Sequence, residues 1–276
     1  MKPSLARLHL SDWLSTRDSL HRYARMVGKL RAEHAPPAKH WWHSTLHVSA
    51  RGLTTTPFPA ADQALELALD LAGHELVIDS SDGWRAQLPL REQTASGFCG
   101  ALIQCLSEHD VELDAGALAP LADEVPLPYD PDAAGRFRQS INWSAGVFAA
   151  FKGRLREETS PIQVFPHHFD LAMNWFSGRL VPGVDPLDEE RADEHMNFGF
   201  ATGDESIDDA YFYATAYPQP DGFTDLALPG GAFWHTEGWA GAILPYAALL
   251  DSDWPADRLL DFLRTLQAHG AELMSR

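Results

Sequence analysis

Cysteine is nearly absent: there are two in 276 residues, Cys99 and Cys105. They stand six apart in a stretch with helical periodicity, about 1.7 turns, so the thiols leave the helix on different sides. They cannot bond each other without distortion. That excludes a disulfide-stapled scaffold, and two reduced thiols suit a cytoplasmic protein. Basic residues are also scarce, with 21 Lys and Arg against 39 Asp and Glu, a formal net charge of -18. A surface this acidic repels phosphate backbones and anionic lipid, so neither nucleic acid nor membrane is expected as a partner. No stretch approaches the ~20 apolar residues of a membrane-spanning helix. The opening MKPSLARLHLSDWL lacks the long apolar core of a signal peptide. Several motifs are missing too. There is no HExxH helix, no CxxC pair, no calcium-binding EF-hand loop and no GxSxG nucleophile turn. The stretch GAFWHTEGWAG has neither the spacing nor the strand-to-helix setting of a phosphate loop.

What remains is a chain with the composition of a globular protein, 45% hydrophobic and 22% charged. Leu20, Tyr23, Val27 and Leu30 recur at three- and four-residue steps, which predicts a helix over 12–33. Pro36 and Pro37 stop it. The period then drops to two. Strands are predicted over 41–53, 65–71, 74–79 and 84–90, joined by short turns, as in an antiparallel meander. A helix follows at about 92–109 and a short apolar VEL at 111–113. Asp130 and Pro131 open the next helix as cap and first-turn residue, running to Lys152 with Phe137, Ile141, Phe148 and Phe151 inward.

The second half repeats the plan. Residues 160–176 are extended, 182–195 form an acidic loop, and strands follow at 210–217, 232–235 and 239–246. Asp253–Pro255 caps a final helix that buries Leu259, Phe262, Leu263 and Leu266. A weak internal repeat fits this: His43–Leu46–Gly52 resembles His168–Leu171–Gly178, and 99–113 has a counterpart in 259–273. The expectation is an α+β protein, 1–276, of one compact unit. Its antiparallel meanders carry packed helices, with pseudo-repeats at 40–113 and 160–273 joined by the helix at 131–152.

Several blocks, read in order, resemble one family. They are VGKLRAEHAPPAKHWWHSTLHVSARGLTT, YDPDAAGRF, SPIQVFPHHFDLAMNWFSGR, GFATG, YFYATAYPQPDGF and ILPYAALL, spanning about residues 20 to 273. The chain is similar to an uncharacterised bacterial family known only as a domain of unknown function. The resemblance implies a single-family chain and brings no activity. It also shows departures. Phe165-Pro166-His167-His168 stands where the family reads Phe-Trp-Gly-Ser, and Asp193-Glu194 where it reads His-Glu. Asp170, Arg179 and Glu194 match the pattern, whereas His167 and His168 do not.

Strand parity, applied to FPHHFDLAMNWFSGR at 165–179, puts Phe169, Leu171, Met173 and Trp175 on a core face. His168, Asp170, Ala172 and Asn174 fall on a polar one. The same reading puts Trp42, Leu46 and Val48 opposite His43, Thr45 and His47. If the halves are related, His43 and His168 are equivalent, and two polar faces would meet in a cleft. His168 and Asp170, roughly 6.6 Å apart along a strand, are candidate ligands of one metal ion with Glu194, and zinc is the default for such a set. His195, His235 and Glu237 are further candidates. Read as acid–base chemistry, His168 is the base and Asp170 and Glu194 are orienting carboxylates. Arg51 and Arg179, each beside a repeated glycine, are candidate clamps for an anion, with His43 alongside. Trp41, Trp42, Trp175, Trp234, Trp239, Tyr211, Tyr213 and Tyr217 supply flat walls for a small-molecule pocket.

Bland readings compete with each. Thirteen histidines cluster by chance in an acidic chain, arginines offset local acids, and aromatics fill cores. The function expected is therefore a cytoplasmic small-molecule-binding protein or enzyme with a divalent metal such as zinc as candidate cofactor. The alternative is a non-enzymatic structural or protein-interaction protein.

Overall fold

The computed structural model describes residues 5–111, 115–204 and 207–275. The α+β expectation holds: helices accompany antiparallel sheets. The chain divides into two units. One comprises Ser11–Asn142 and Val164–Phe169. The other comprises the chain up to Leu10, Trp143–Gln163 and everything from Asp170 onward.

The first unit opens with α1 (Leu14–His34), which buries the expected stripe of Leu20, Tyr23, Val27 and Leu30. It ends at Ala35, where the backbone turns extended ahead of the two prolines. The strand expected over 41–53 is instead a 3-10 segment at Lys39–Ser44 followed by a hairpin, β1 (His47–Ser49) and β2 (Gly52–Thr54). His40 and Trp41 are left-handed, at φ 52° and 58°, which breaks an extended path. Ser44 Oγ and Thr45 Oγ1 close the turn on the Trp41 and Trp42 carbonyls, each at 2.8 Å. His43 therefore sits on a helical turn, and strand parity does not apply to it.

The sheet continues with β3 (Phe58–Ala60), β4 (Gln63–Asp70), β5 (Glu75–Ser80) and β6 (Arg85–Pro89) in the order β1-β2-β4-β5-β6, with β3 also on β4. Leu65, Leu67 and Leu69 of β4 are buried, as are their partners Ile78 and Leu76 on β5. A two-residue strand, β7 (Gln93–Thr94), leads into α2 (Ala95–Ser107). The Thr94 side chain caps that helix by accepting from the Gly97 N–H at 3.1 Å. Both cysteines lie on α2 and are free thiols, Cys99 buried and Cys105 partly so. Glu112 and Leu113 of the expected VEL segment lie outside the described residues. Then come α3 (Ala115–Leu118) and β8 (Pro126–Leu127), which pairs with β7.

Helix α4 (Pro131–Lys152) is bounded as expected. Asp130 Oδ1 accepts from the Asp132 N–H at 2.9 Å, the hydrogen bond of an N-cap. An aromatic core holds the unit. Tyr23 meets Phe98 edge-on at 4.5 Å, and Phe137 stacks on Trp13 and Phe169 at 5.4 and 5.1 Å. After β9 (Gln163–Phe165), residues 166–169 form a turn.

The second unit carries β10 (Asp170–Leu180), β11 (Asp193–Ala201), β12 (Tyr211–Tyr217), β13 (Phe233–His235) and β14 (Gly241–Pro245) in the order β13-β14-β12-β11-β10. A short α5 (Ala247–Leu250) precedes α6 (Pro255–Met274). Trp254, not Asp253, occupies the N-cap of α6, with Pro255 as its first residue. Leu259, Phe262, Leu263 and Leu266 are fully buried, as the pattern predicted.

Registers Leu171↔Phe200, Met173↔Phe198 and Phe200↔Phe212 define an apolar sheet face. Phe151 of α4 meets Phe198 at 5.1 Å, and Gly270 of α6 makes room for Met196. Burial of this face drives assembly of the unit. Among the described residues, no helix is long and apolar enough to cross a membrane.

Candidate functional site

The other face of the second sheet is polar at its centre. Registers Asn174↔Asn197, Ala172↔Gly199 and Gly199↔Tyr213 place Asn174, Asn197 and Tyr213 side by side. Asp170 shares this face by strand alternation with Asn174. Tyr213 lies across Gly199, where a Cβ would run into its phenol ring. Its hydroxyl donates to Asp170 Oδ2 at 2.5 Å and receives a long bond, 3.4 Å, from Asn197 Nδ2. Tyr211, next on the same face, donates to Asp204 Oδ2 at 2.5 Å. Ile243 and Trp239 complete the apolar lining.

Burial drives the Tyr213 phenol well above its ordinary pKa, and the Asp170 charge and hydrogen bond push it the same way. Burial first, then the Asp204 bond, raises Tyr211 likewise. Both phenols stay protonated through the neutral range, and their O–H groups are committed to carboxylates.

The acceptors here are not all served. Asn197 Oδ1 is buried and has no hydrogen-bond partner among the described residues. Asn174 is 6% exposed. Its backbone is bonded, the N–H to Ser160 Oγ at 2.8 Å and the carbonyl to the Ser160 N–H at 2.9 Å. Its side-chain amide has no partner among the described residues. A buried polar network is normally closed, because each unpaired group costs about 1–3 kcal/mol. Among the described residues, this one is open at Asn197 Oδ1.

The expected site residues fall elsewhere or into other work. His168 lies in the turn 166–169 of the first unit, its ring 4.3 Å from that of His167. Phe169 causes the displacement. It is left-handed at φ 57° and buried, and its N–H closes the turn on the Phe165 carbonyl at 2.8 Å. The alternation therefore starts at Asp170 and not before it. Glu194 is bonded to Arg179, whose Nε and Nη2 reach Oε1 at 3.1 and 2.9 Å. By strand parity Glu194 projects from the face opposite Asn197. Arg51 donates through Nε to Asp70 Oδ2 at 2.6 Å. His43 Nδ1 accepts from the Ala38 N–H at 3.1 Å. Among the described residues, no group of three or more His, Cys, Asp or Glu is placed to hold a metal ion.

Of the predicted residues, Asp170 alone is in the polar patch, with Asn174, Tyr211 and Tyr213 from the polar and aromatic sets. Asn197 was missed. Its signal was present in HMNFGFA, where His195, Asn197 and Gly199 alternate with Met196, Phe198 and Phe200.

The molecule is thus an α+β protein with antiparallel sheets, the sheet of the second unit carrying an open polar network on its inner strands. The chain belongs to the family of unknown function DUF5996, whose model matches residues 5–275. No curated protein and no solved structure matches it.

Proposed function

We propose that this is a small-molecule-binding protein and that its ligand seats on the polar face of the second sheet, against Asn174, Asn197, Asp170 and Tyr213. The observation that carries this is Asn197 Oδ1, buried and without a partner among the described residues, beside the largely buried Asn174 side chain. The two phenol donors are already used, and the open Asn197 Oδ1 is an acceptor. A molecule rich in hydroxyl or amine hydrogens answers that need. Tyr211, Tyr213 and Trp239 supply flat apolar surface beside the polar groups, as ligand pockets usually do.

A thermal-shift screen with a defined panel of polyols, hexoses, amino alcohols and primary amines tests the reading. A member that raises the melting temperature of wild type and not that of Asn197→Leu supports it. A panel that shifts neither protein, or both equally, points to the alternative of a structural protein whose open amides hold ordered water.

A further inference from the structure

The first unit has a second feature, independent of the sheet face just described. A cavity of about 400 Å³ lies between the start of α4 and the turn after β4, lined by Arg136, Arg138, Gln139, His74 and Asp132. Gly135 is part of its lining, and a side chain there would meet nothing within 4 Å. In a chain with 39 acidic and 21 basic side chains, arginines tend to be neutralised. Arg51 and Arg179 are. These two are not. The Arg136 guanidinium has no hydrogen-bond or ion-pair partner among the described residues. Among the described residues, Arg138 reaches only the Ala50 carbonyl, through Nη1 at 3.4 Å, and its Nε is buried without a partner. His74 Nδ1 is engaged with the Tyr129 hydroxyl at 3.0 Å, and its Nε2 has no partner among the described residues. When Tyr129 is the donor, the neutral ring carries its proton on Nε2.

Two unneutralised guanidiniums and an imidazole around one cavity offer several N–H donors and excess positive charge. Planar guanidiniums match the oxygen spacing of phosphate in pairs, which a single carboxylate does not fully use. The volume falls within the range of small-ligand pockets and exceeds what a bare ion fills. We infer that this cavity binds the phosphate group of a small phosphorylated molecule. Arg136 and Arg138 hold its oxygens, His74 supports them, and the body of the molecule lies over Gly135. Asp132, exposed and also in the lining, works against the anion, which gives the inference a test of opposite sign.

The experiment is calorimetric titration of the full-length protein with three probes: glycerol phosphate, inorganic phosphate and succinate. Saturable binding of glycerol phosphate is expected, stronger than that of inorganic phosphate. Arg136→Gln should weaken it by about tenfold or more, the worth of one charge-assisted hydrogen bond. Gly135→Leu should abolish it by putting a side chain into the cavity while both arginines remain, and Asp132→Asn should tighten it. Circular dichroism confirms that each variant is folded, and the exposed or half-buried positions make that the expected result. Absence of saturable binding by the phosphate probes, binding of succinate alone, or equal affinity across the variants would each overturn the inference.

Discussion

Asp70 and Arg51 are an ion pair with more than one support. The buried carboxylate accepts from Arg51 Nε and from the Ala72 and Gly73 N–H groups at 2.9 and 2.8 Å. Burial raises its pKa, and these bonds more than reverse that, leaving it below the ordinary carboxylate value. A depressed carboxylate adds stability above its unfolded pKa and loses it as pH falls through the folded value. Arg51→Gln should therefore cost about 1 kcal/mol at pH 7, since the guanidinium is largely exposed. The deficit should shrink as Asp70 protonates below about pH 4. Urea unfolding of both proteins at pH 7 and at pH 3 checks both points. The sequence marked Arg51 and Arg179 as chemically notable but could not show what they face. Asp70 is nineteen residues from Arg51, and Glu194 is fifteen from Arg179. Pairings of that range are set by strand register, which no local pattern encodes.

Among the elements, those with a clear period were legible. Helix α4 and the buried stripes of α1 and α6 follow from spacing, caps and prolines. The failures are both short turns that reverse the chain inside an apparently extended run. His40 and Trp41 do this before β1, and Phe169 does it before β10. Neither turn contains glycine, so composition gave no warning, and only Pro166 marked the second. The error mattered for the site because it carried His168 onto a face it does not share.

One element-level contact can be tested directly. Gly199 of β11 leaves the space in which the Tyr213 ring lies. Gly199→Ala should destabilise the protein by about 1–3 kcal/mol, because a rigid aromatic ring must move. It should also lengthen the Tyr213–Asp170 bond. Thermal unfolding reads the first effect, and the tyrosine titration below reads the second.

At the scale of the whole molecule, four of the six tyrosines, Tyr23, Tyr129, Tyr211 and Tyr213, have pKa values raised principally by burial. A tyrosine whose folded pKa exceeds its unfolded value near 10 adds stability below that pH and loses it as pH rises above. The protein should lose stability above pH 10, and tyrosinate absorbance should rise cooperatively with loss of circular dichroism. A smooth titration of all six near pH 10 in folded protein would contradict the burial described. His21 and His47 act at the other end. Burial lowers both, and nearby arginines (Arg25 and Arg17 for His21, Arg31 for His47) add to it. Their contribution is whole above the unfolded value of 6.5 and falls as pH drops below it. His47→Gln should flatten the loss of stability between pH 7 and pH 5.

The central claim is that Asn197 is left open for a ligand and is not a member of a closed structural network. The unfolding free energy of Asn197→Leu, measured by denaturant titration without ligand, tests it most directly. Leucine nearly matches asparagine in size, suits a strand better and removes a buried oxygen that has no partner among the described residues. The account predicts that the variant is as stable as wild type or more so. A loss of about 2 kcal/mol or more would show that the amide is part of the structure, and would contradict it.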